Sequence, residues 1–93
     1  MIVNNTQIEI FSVMVQTENI HHTAQRLGID AAAVTTSICA LENEIGFNLI
    51  LRGKNIRKVI LTEKGRAFYK LTPQILGILH AIATIRRAKH LAE

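Results

Sequence analysis

The sequence predicts a mainly α fold, and three observations carry that prediction. Residues 19–46 have the composition of two helices joined by a tight turn, residues 47–61 have that of a short β-hairpin with a basic turn, and residues 62–93 have that of one long amphipathic helix. Together they predict a winged helix-turn-helix with a long C-terminal helix. We therefore divide the chain into a winged helix-turn-helix domain, 1–61, and a linker or dimerisation helix, 62–93.

The first predicted helix covers residues 4–17. Either Asn4 or Asn5 can cap its N-terminus through a side-chain oxygen. Ile8, Phe11 and Val15 recur at steps of three and four and place one apolar stripe on the helix. We interpret this stripe as core packing. Apolar residues make up 48% of the 93-residue chain but aromatic residues only 4%, so we expect Ile, Leu, Val and Ala to do most of that packing.

The next two predicted helices form the helix-turn-helix. Asn19 can cap a helix from Ile20 to Leu27, and Gly28 follows as the residue that most easily ends it in the left-handed conformation. Asp30 can cap the following helix, Ala31 to Ile45. Its apolar stripe consists of Val34, Ile38, Leu41 and Ile45. Such an arrangement presents its second helix to the DNA major groove, although an ordinary helical hairpin is an alternative that the pattern leaves open.

A basic segment follows the helix pair. The β-rich stretches FNLILR and IRKVIL flank the turn sequence RGKN, which predicts a hairpin, or wing. Residues 1–51 carry one basic and five acidic residues, a formal charge of −4, whereas residues 52–93 carry ten basic and two acidic residues, a charge of +8. This asymmetry suits a polyanion, with a solubilising loop as the alternative. The predicted phosphate contacts are Arg52, Lys54, Arg57 and Lys58.

The chain from Thr62 onward is expected to be helical to near its end. Thr62 can cap this helix, and Glu63 suits its first turn. Apolar residues at heptad spacing form a seam that so small a domain cannot cover alone, which predicts dimerisation rather than folding back on the core. Pro73 is expected to kink or divide the helix, and Arg86, Arg87 and Lys89 suit its C-terminus. The predicted dimerisation residues are Phe68, Leu71, Ile75, Ile78, Leu79, Ile82 and Ile85.

Other classes of function receive no support from the sequence. No long uncharged apolar run predicts a transmembrane span, no signal peptide is recognisable, and the single Cys39 cannot form an internal disulfide, so we expect a cytoplasmic protein without membrane contact. His21, His22, His80 and His90 lack zinc-site spacing, so no metal is expected. No nucleophile–base pair or phosphate loop is present, and we expect neither an enzyme nor a cofactor.

The ordered motifs resemble the N-terminal domain of LysR-type transcriptional regulators over nearly the whole chain. TAQRLGI at 23–29 is similar to the family's AAERLxV, AVTTSICALENEIGFNLILR at 33–52 follows its pattern A-[LV]-S-x-x-I-x-x-LE-x-x-[LI]-G-x-x-LF-x-R, and LTEKG at 61–65 matches its LTExG. The resemblance implies a winged helix-turn-helix whose linker helix pairs two subunits on double-stranded DNA.

The chain departs from the family at the start of the recognition helix. The usual Ser-Gln-Pro is replaced by Asp30, Ala31 and Ala32, and no charged side chain occurs from Ala31 to Leu41. Bidentate base contacts, each worth about 1–3 kcal/mol of discrimination, are therefore not expected from this helix. We expect weak or shape-based readout, with affinity mainly from wing phosphates. We expect Asp30 to Ala40 to lie in the major groove, with Asp30 among the DNA-binding residues. The predicted contacts from the helix are hydroxyls of Thr35, Thr36 and Ser37 and methyls of Ala31, Ala32 and the threonines on thymine, and Arg26 is predicted to add a backbone contact.

Two functions are consistent with these features. The first is a homodimeric DNA-binding transcriptional regulator. The second is an interaction module that binds DNA poorly and captures full-length relatives into mixed dimers. LysR-type proteins normally continue into an effector-binding domain, of which these residues contain nothing, so no small-molecule effector is expected of them.

Overall fold

The computed structural model describes residues 4–88, and Lys89 and His90 lie outside this range. Within it, four helices follow one another: α1 (Asn5–Thr17), α2 (Ile20–Leu27), α3 (Ala31–Ile45) and α4 (Glu63–Arg87). The predicted mainly α class is confirmed. None of these helices is long and apolar enough to cross a membrane.

Helix α1 begins with a reciprocal cap. The side chain of Asn4 accepts a hydrogen bond from the Gln7 amide at 2.8 Å, and the Gln7 side chain accepts one from the Asn4 amide at 3.3 Å. This capping box satisfies two backbone donors that a helix start leaves without partners. The helix ends at Glu18, whose φ of 56° lies in the left-handed region that non-glycine residues seldom adopt.

The helix-turn-helix is built as the local signals predict, with one exception. Asn19 accepts a hydrogen bond from the His22 amide at 2.9 Å, and Gly28 ends α2 with a φ of 68°. Asp30 is the N-cap residue of α3, but its side chain makes no capping hydrogen bond. Only its backbone carbonyl takes part, as acceptor from the Val34 amide at 3.1 Å. The side-chain cap expected from Asp30 is therefore absent, and its exposed carboxylate faces solvent.

All four aromatic side chains of the protein meet in one cluster, while most of the buried apolar residues are Ile, Leu, Val and Ala, as expected from the composition. The ring centroid of Phe68 lies 5.7 Å from that of Phe11 and 6.1 Å from that of Phe47, and Tyr69 meets Phe11 edge-on at 6.1 Å. Such edge and tilted pairs add about 0.5–1.5 kcal/mol beyond the buried area. The cluster fastens the start of α4 to α1. The rest of the buried core is Ile8, Ile10, Met14, Ala24, Val34, Ile38, Leu41 and Leu49.

The burial of Phe68 corrects its place in the predicted dimerisation seam. Its side chain is only 9% exposed and is enclosed by its own chain, so it is not free to contact a partner. Heptad spacing alone cannot separate these roles, because a core face and a partner face share the same period. The apolar residues of α4 that remain exposed are Leu71, Ile78, Ile82 and Ile85, with Ile75 and Leu79 half-buried.

Pro73 lies inside α4 without dividing it. A proline cannot donate to the carbonyl four residues earlier, here that of Tyr69. The hydroxyl of Thr72 donates to that carbonyl at 2.8 Å instead, and Thr72 is 1% exposed. The backbone acceptor that Pro73 leaves free is therefore satisfied inside the fold, and the helix continues to Arg87.

The predicted wing is not confirmed as a pair of strands. Between α3 and α4 the described backbone contains one antiparallel bridge, Ile50 to Leu61. Two hydrogen bonds flank it, from the Leu51 amide to the Ile60 carbonyl and from the Thr62 amide to the Leu49 carbonyl, each 2.9 Å long. The segment between, 52–59, is irregular. We refer to residues 50–61 as the wing.

Candidate nucleic-acid interface

The outer face of α3 is uncharged near its N-terminus. Ala32, Ala33, Thr35 and Thr36 are exposed there, and Ser37 is half-buried. The Thr35 hydroxyl donates to the Ala31 carbonyl at 3.3 Å, a common helical back-bond, so that hydroxyl is already engaged as a donor. The exposed part of this face therefore presents methyl groups and the free hydroxyl of Thr36.

A groove of about 540 Å³ separates α3 from the wing. Ala31, Ala32 and Thr35 line one side, and Arg57 and Lys58 line the other. His21, at the start of α2, also borders the groove. Arg52 also lines the groove. The structure thus brings the predicted start of the recognition helix and three of the four predicted phosphate-binding cations, all but Lys54, to a single concave surface.

The wing cations fall into two classes. Lys54, Arg57 and Lys58 are exposed, and no carboxylate pairs with them in residues 4–88. Arg52 differs, because its guanidinium forms a two-pronged contact with the Glu42 carboxylate, with N···O distances of 2.7 and 3.1 Å. A fork-to-fork pair of this kind is geometrically specific. Arg52, predicted as a phosphate contact from its charge and its place in the wing, is thus paired with Glu42 while its side chain stays 45% exposed.

Glu42 is the residue that reasoning from sequence overlooked. It lies on α3, is 7% exposed, and accepts the Leu49 amide at 2.7 Å and the Ile50 amide at 3.4 Å in addition to Arg52. Burial by itself raises the pKa of Glu42, but the hydrogen bonds from Arg52, Leu49 and Ile50 outweigh it, and the pKa lies below its ordinary value. Glu42 is therefore an ionised carboxylate that ties the base of the wing to α3.

Three further polar residues lie outside the lining of the groove, on α2, at the start of α3 and on α3. Arg26, on the exposed side of α2, donates to the side-chain oxygen of Gln16 at 3.0 Å and remains accessible. The exposed Asp30 carboxylate lies at the start of α3 without a hydrogen-bond partner. The exposed thiol of Cys39 lies 3.7 Å from Nη2 of Arg52, a neighbour thirteen positions away that sequence proximity could not reveal.

Comparison with known proteins points to one family. Residues 5–66 match the model described as "Bacterial regulatory helix-turn-helix protein, lysR family". The chain is 34% identical over 82 residues to the uncharacterized HTH-type transcriptional regulator MJ0300 of Methanocaldococcus jannaschii, a match that covers 88% of this chain and 27% of that protein. It is 28% identical over 87 residues to the HTH-type transcriptional regulator CrgA of Neisseria meningitidis, covering 94% and 28%. The chain thus spans about a quarter of the length of these relatives.

Solved structures show the same fold. The CbnR DNA-binding domain in its complex with DNA superposes with a TM-score of 0.79 at 26% identity, covering 91% of this chain and 95% of that one. CbnR, a LysR family transcriptional regulator, superposes with a TM-score of 0.78 at 27% identity, covering 92% of this chain and 29% of that one. The matched family model extends from α1 into the first turn of α4 and so includes the whole groove. The chain therefore belongs to the lysR family of bacterial regulatory helix-turn-helix proteins.

Proposed function

We propose that the chain binds double-stranded DNA as a homodimer and regulates transcription. Residues 1–61 bind the duplex in this proposal, and residues 62–93 pair the two subunits. The observation that carries it is the shared groove, because an exposed uncharged helix face and a cationic segment border the same concave surface. The described part of α3 presents nothing that would exclude it from a major groove, which admits an α-helix.

The two sides of the groove have different roles. Helix α3 enters the major groove, where methyls of Ala31, Ala32 and Thr35 meet thymine methyls and the hydroxyls of Thr36 and Ser37 meet base edges. Lys54, Arg57 and Lys58 hold phosphates, and Arg26 adds a backbone contact from α2. Most of the affinity is then electrostatic and independent of sequence.

The exposed stripe on α4 supports pairing of two chains. Four large aliphatic side chains of α4 are between 47% and 61% exposed: Leu71, Ile78, Ile82 and Ile85. Removal of such side chains from water lowers the free energy. With Ile75 they recur at steps of four, three, four and three, the spacing of a helix–helix seam. A second α4 offers a matching surface.

The similarity to the CbnR DNA-binding domain supports DNA as the ligand, because the published complex of that domain contains DNA and the fold is shared. The names of the curated relatives, which call them transcriptional regulators, support regulation of transcription rather than catalysis. They give no support to the alternative of a module that only captures full-length relatives into mixed dimers.

Fluorescence anisotropy tests the proposal. The purified chain is titrated into pooled genomic fragments and random duplex over a salt series. Stronger binding to some genomic fragments (the retained fragments) than to random duplex at physiological salt supports sequence-dependent binding. Equal, steeply salt-sensitive binding to both pools indicates phosphate contacts alone. Absence of binding to either pool at low salt would refute the proposal.

Thymine contacts are tested with a retained fragment in which deoxyuridine replaces thymidine. This exchange removes only the C5 methyl groups, so methyl contacts from α3 require weaker binding. Unchanged affinity would exclude them.

A further inference from the structure

One carboxylate on α3 receives most of the side-chain hydrogen bonds that join this helix to residues 49–52; the exception is the long contact from Arg52 to the thiol of Cys39. Glu42 accepts the amides of Leu49 and Ile50 and both prongs of the Arg52 guanidinium. Its side chain is 7% exposed, and no buried polar side-chain atom in the described chain lacks a partner. The Glu42 carboxylate is therefore satisfied and largely shielded from water, although the side chain of Arg52 is 45% exposed. The bidentate geometry, rather than burial of both partners, is what restrains the position of this segment.

The wing has little structure of its own to hold its cations in place. It contains a single bridge, and the turn is closed by one long hydrogen bond, from the Ile56 amide to the Gly53 carbonyl at 3.3 Å. Its second arm is fastened outside the wing, since the Val59 amide donates to the Glu18 carbonyl at 2.9 Å. One arm thus depends on Glu42 and the other on the end of α1.

We propose that Glu42 is a positioning residue for DNA binding: it sets the distance between α3 and the cations Lys54, Arg57 and Lys58, with Arg52 as its anchor rather than as a phosphate ligand. The inference rests on the proposed function. The groove then has a fixed width, because α3 and the wing are joined through a bidentate ion pair instead of a flexible loop. A groove of fixed width lets the helix and the cations engage one duplex simultaneously without a cost for ordering the wing on binding.

The Glu42→Gln variant separates this role from a simple charge effect. Removal of a negative charge near DNA should by itself tighten binding, whereas loss of positioning should weaken it. Glutamine retains one acceptor oxygen for the Leu49 amide but cannot form the bidentate ion pair with Arg52. The salt slope is the slope of the logarithm of the binding constant against the logarithm of the salt concentration. If two wing cations lose their phosphate contacts, this slope falls in magnitude by about 2 and the affinity falls about thirtyfold at physiological salt, irrespective of DNA sequence.

The matched control is Glu9→Gln on α1. It removes the same charge at an exposed side chain whose hydrogen bond joins it to Asn5. We expect this variant to retain the wild-type salt slope and at least the wild-type affinity. Wild-type affinity and slope in Glu42→Gln would overturn the inference.

Substitutions of Arg52 distinguish an anchor from a phosphate ligand. Arg52→Lys retains the charge but loses the planar fork, so an anchor predicts weakened binding and a phosphate ligand predicts nearly unchanged binding. In the double variant, Arg52→Gln should add no further loss to Glu42→Gln if the two residues act as one unit. An additional drop in slope of about 1 in that background would show that Arg52 holds a phosphate directly.

A measurement without DNA keeps the outcomes distinguishable. Amide hydrogen exchange at Leu49 and Ile50 should accelerate at least tenfold in Glu42→Gln and in Arg52→Lys, while amides in the middle of α1 retain their protection and report an intact fold. Unchanged exchange at Leu49 and Ile50 would overturn the inference even if the wild type binds DNA. Absence of wild-type DNA binding together with accelerated exchange would refute the proposed function and the DNA-binding role of Glu42, leaving only the structural clamp.

Discussion

Gly65 offers the sharpest test of how α4 is fastened to the rest of the fold. It lies in the first turn of α4, where its amide donates to the Thr62 hydroxyl at 2.8 Å. A Cβ atom at this position would overlap the carbonyl oxygen of Leu49 and lie 2.9 Å from its carbonyl carbon. The obstacle is backbone, which cannot rotate away as a flexible side chain would. Gly65→Ala must therefore move α4 away from the base of the wing.

Two opposing effects determine how far Gly65→Ala changes the free energy of unfolding. Alanine is favoured over glycine in a helix by about 0.5–1 kcal/mol. Overpacking against a closed contact costs about 1–3 kcal/mol, and an obstacle made of backbone belongs at the upper end. We therefore expect a net destabilisation of about 2 kcal/mol. For a domain of this size that corresponds to a melting temperature lower by roughly 10 °C.

Gly77→Ala is the matched control, since it makes the same change on the same helix. Nothing lies within 4 Å of a Cβ added at Gly77, so only the gain in helix propensity of about 0.5–1 kcal/mol remains. Urea unfolding of both variants and the wild type at one protein concentration measures the two effects. Opposite signs are expected, and a Gly65→Ala variant as stable as Gly77→Ala would refute the close approach of α4 to Leu49.

Three further predictions concern the partner helix, pH and the start of α3. Ile82→Asp should convert the dimer into a monomer in sedimentation velocity, because the charge falls on the exposed stripe. The control variant Thr84→Asp, on another face of α4, should stay dimeric. An intact dimer in both variants would exclude the stripe as the interface. The lowered pKa of Glu42 means that the folded chain binds this proton less readily than the unfolded chain, so the associated stability is present above about pH 4.5 and is lost as the pH falls through the folded pKa. Between about pH 5 and pH 3, urea midpoints of Glu42→Gln should therefore fall less than those of the wild type, and parallel curves would contradict the assignment. Asp30→Asn should tighten binding to all duplexes, because it removes a carboxylate near the phosphates. Its free energy of unfolding should change by less than about 0.5 kcal/mol. Weaker binding to selected sequences in anisotropy would instead identify Asp30 as a base contact.

The helices were predictable because their ends depend on neighbouring residues. Asn19 and Gly28 define α2 through hydrogen bonds and a backbone conformation that lie within four residues of the helix. The bounds of α2 and α3 therefore agree with the sequence pattern. The side-chain capping hydrogen bond expected from Asp30 is absent. Aspartate is a residue type that favours this bond, but the residue type alone does not fix the orientation of the carboxylate.

The wing and the core face of α4 were not predictable in the same way, because their partners are distant in sequence. Arg52 is ten positions from Glu42, and Val59 is joined to Glu18 across the whole helix-turn-helix. The prediction that Arg52 contacts DNA rested on its charge and its place in the basic wing, and the prediction that Phe68 contacts a partner rested on heptad spacing. Only the three-dimensional arrangement shows that Arg52, though partly exposed, is paired with Glu42 and that Phe68 is buried in the core.

The uncharged face of α3 has a consequence for how such a protein acquires new targets. Alanine has the highest helix propensity and little side chain to lose, and exposed positions tolerate replacement within about 0.5 kcal/mol. Introducing glutamine or arginine at Ala32 or Thr36 would add base contacts worth about 1–3 kcal/mol of discrimination. In the proposed function the cations that supply affinity lie on the wing, so specificity would change on α3 without loss of general DNA affinity. Such a chain is a suitable starting scaffold for selecting regulators of chosen operators.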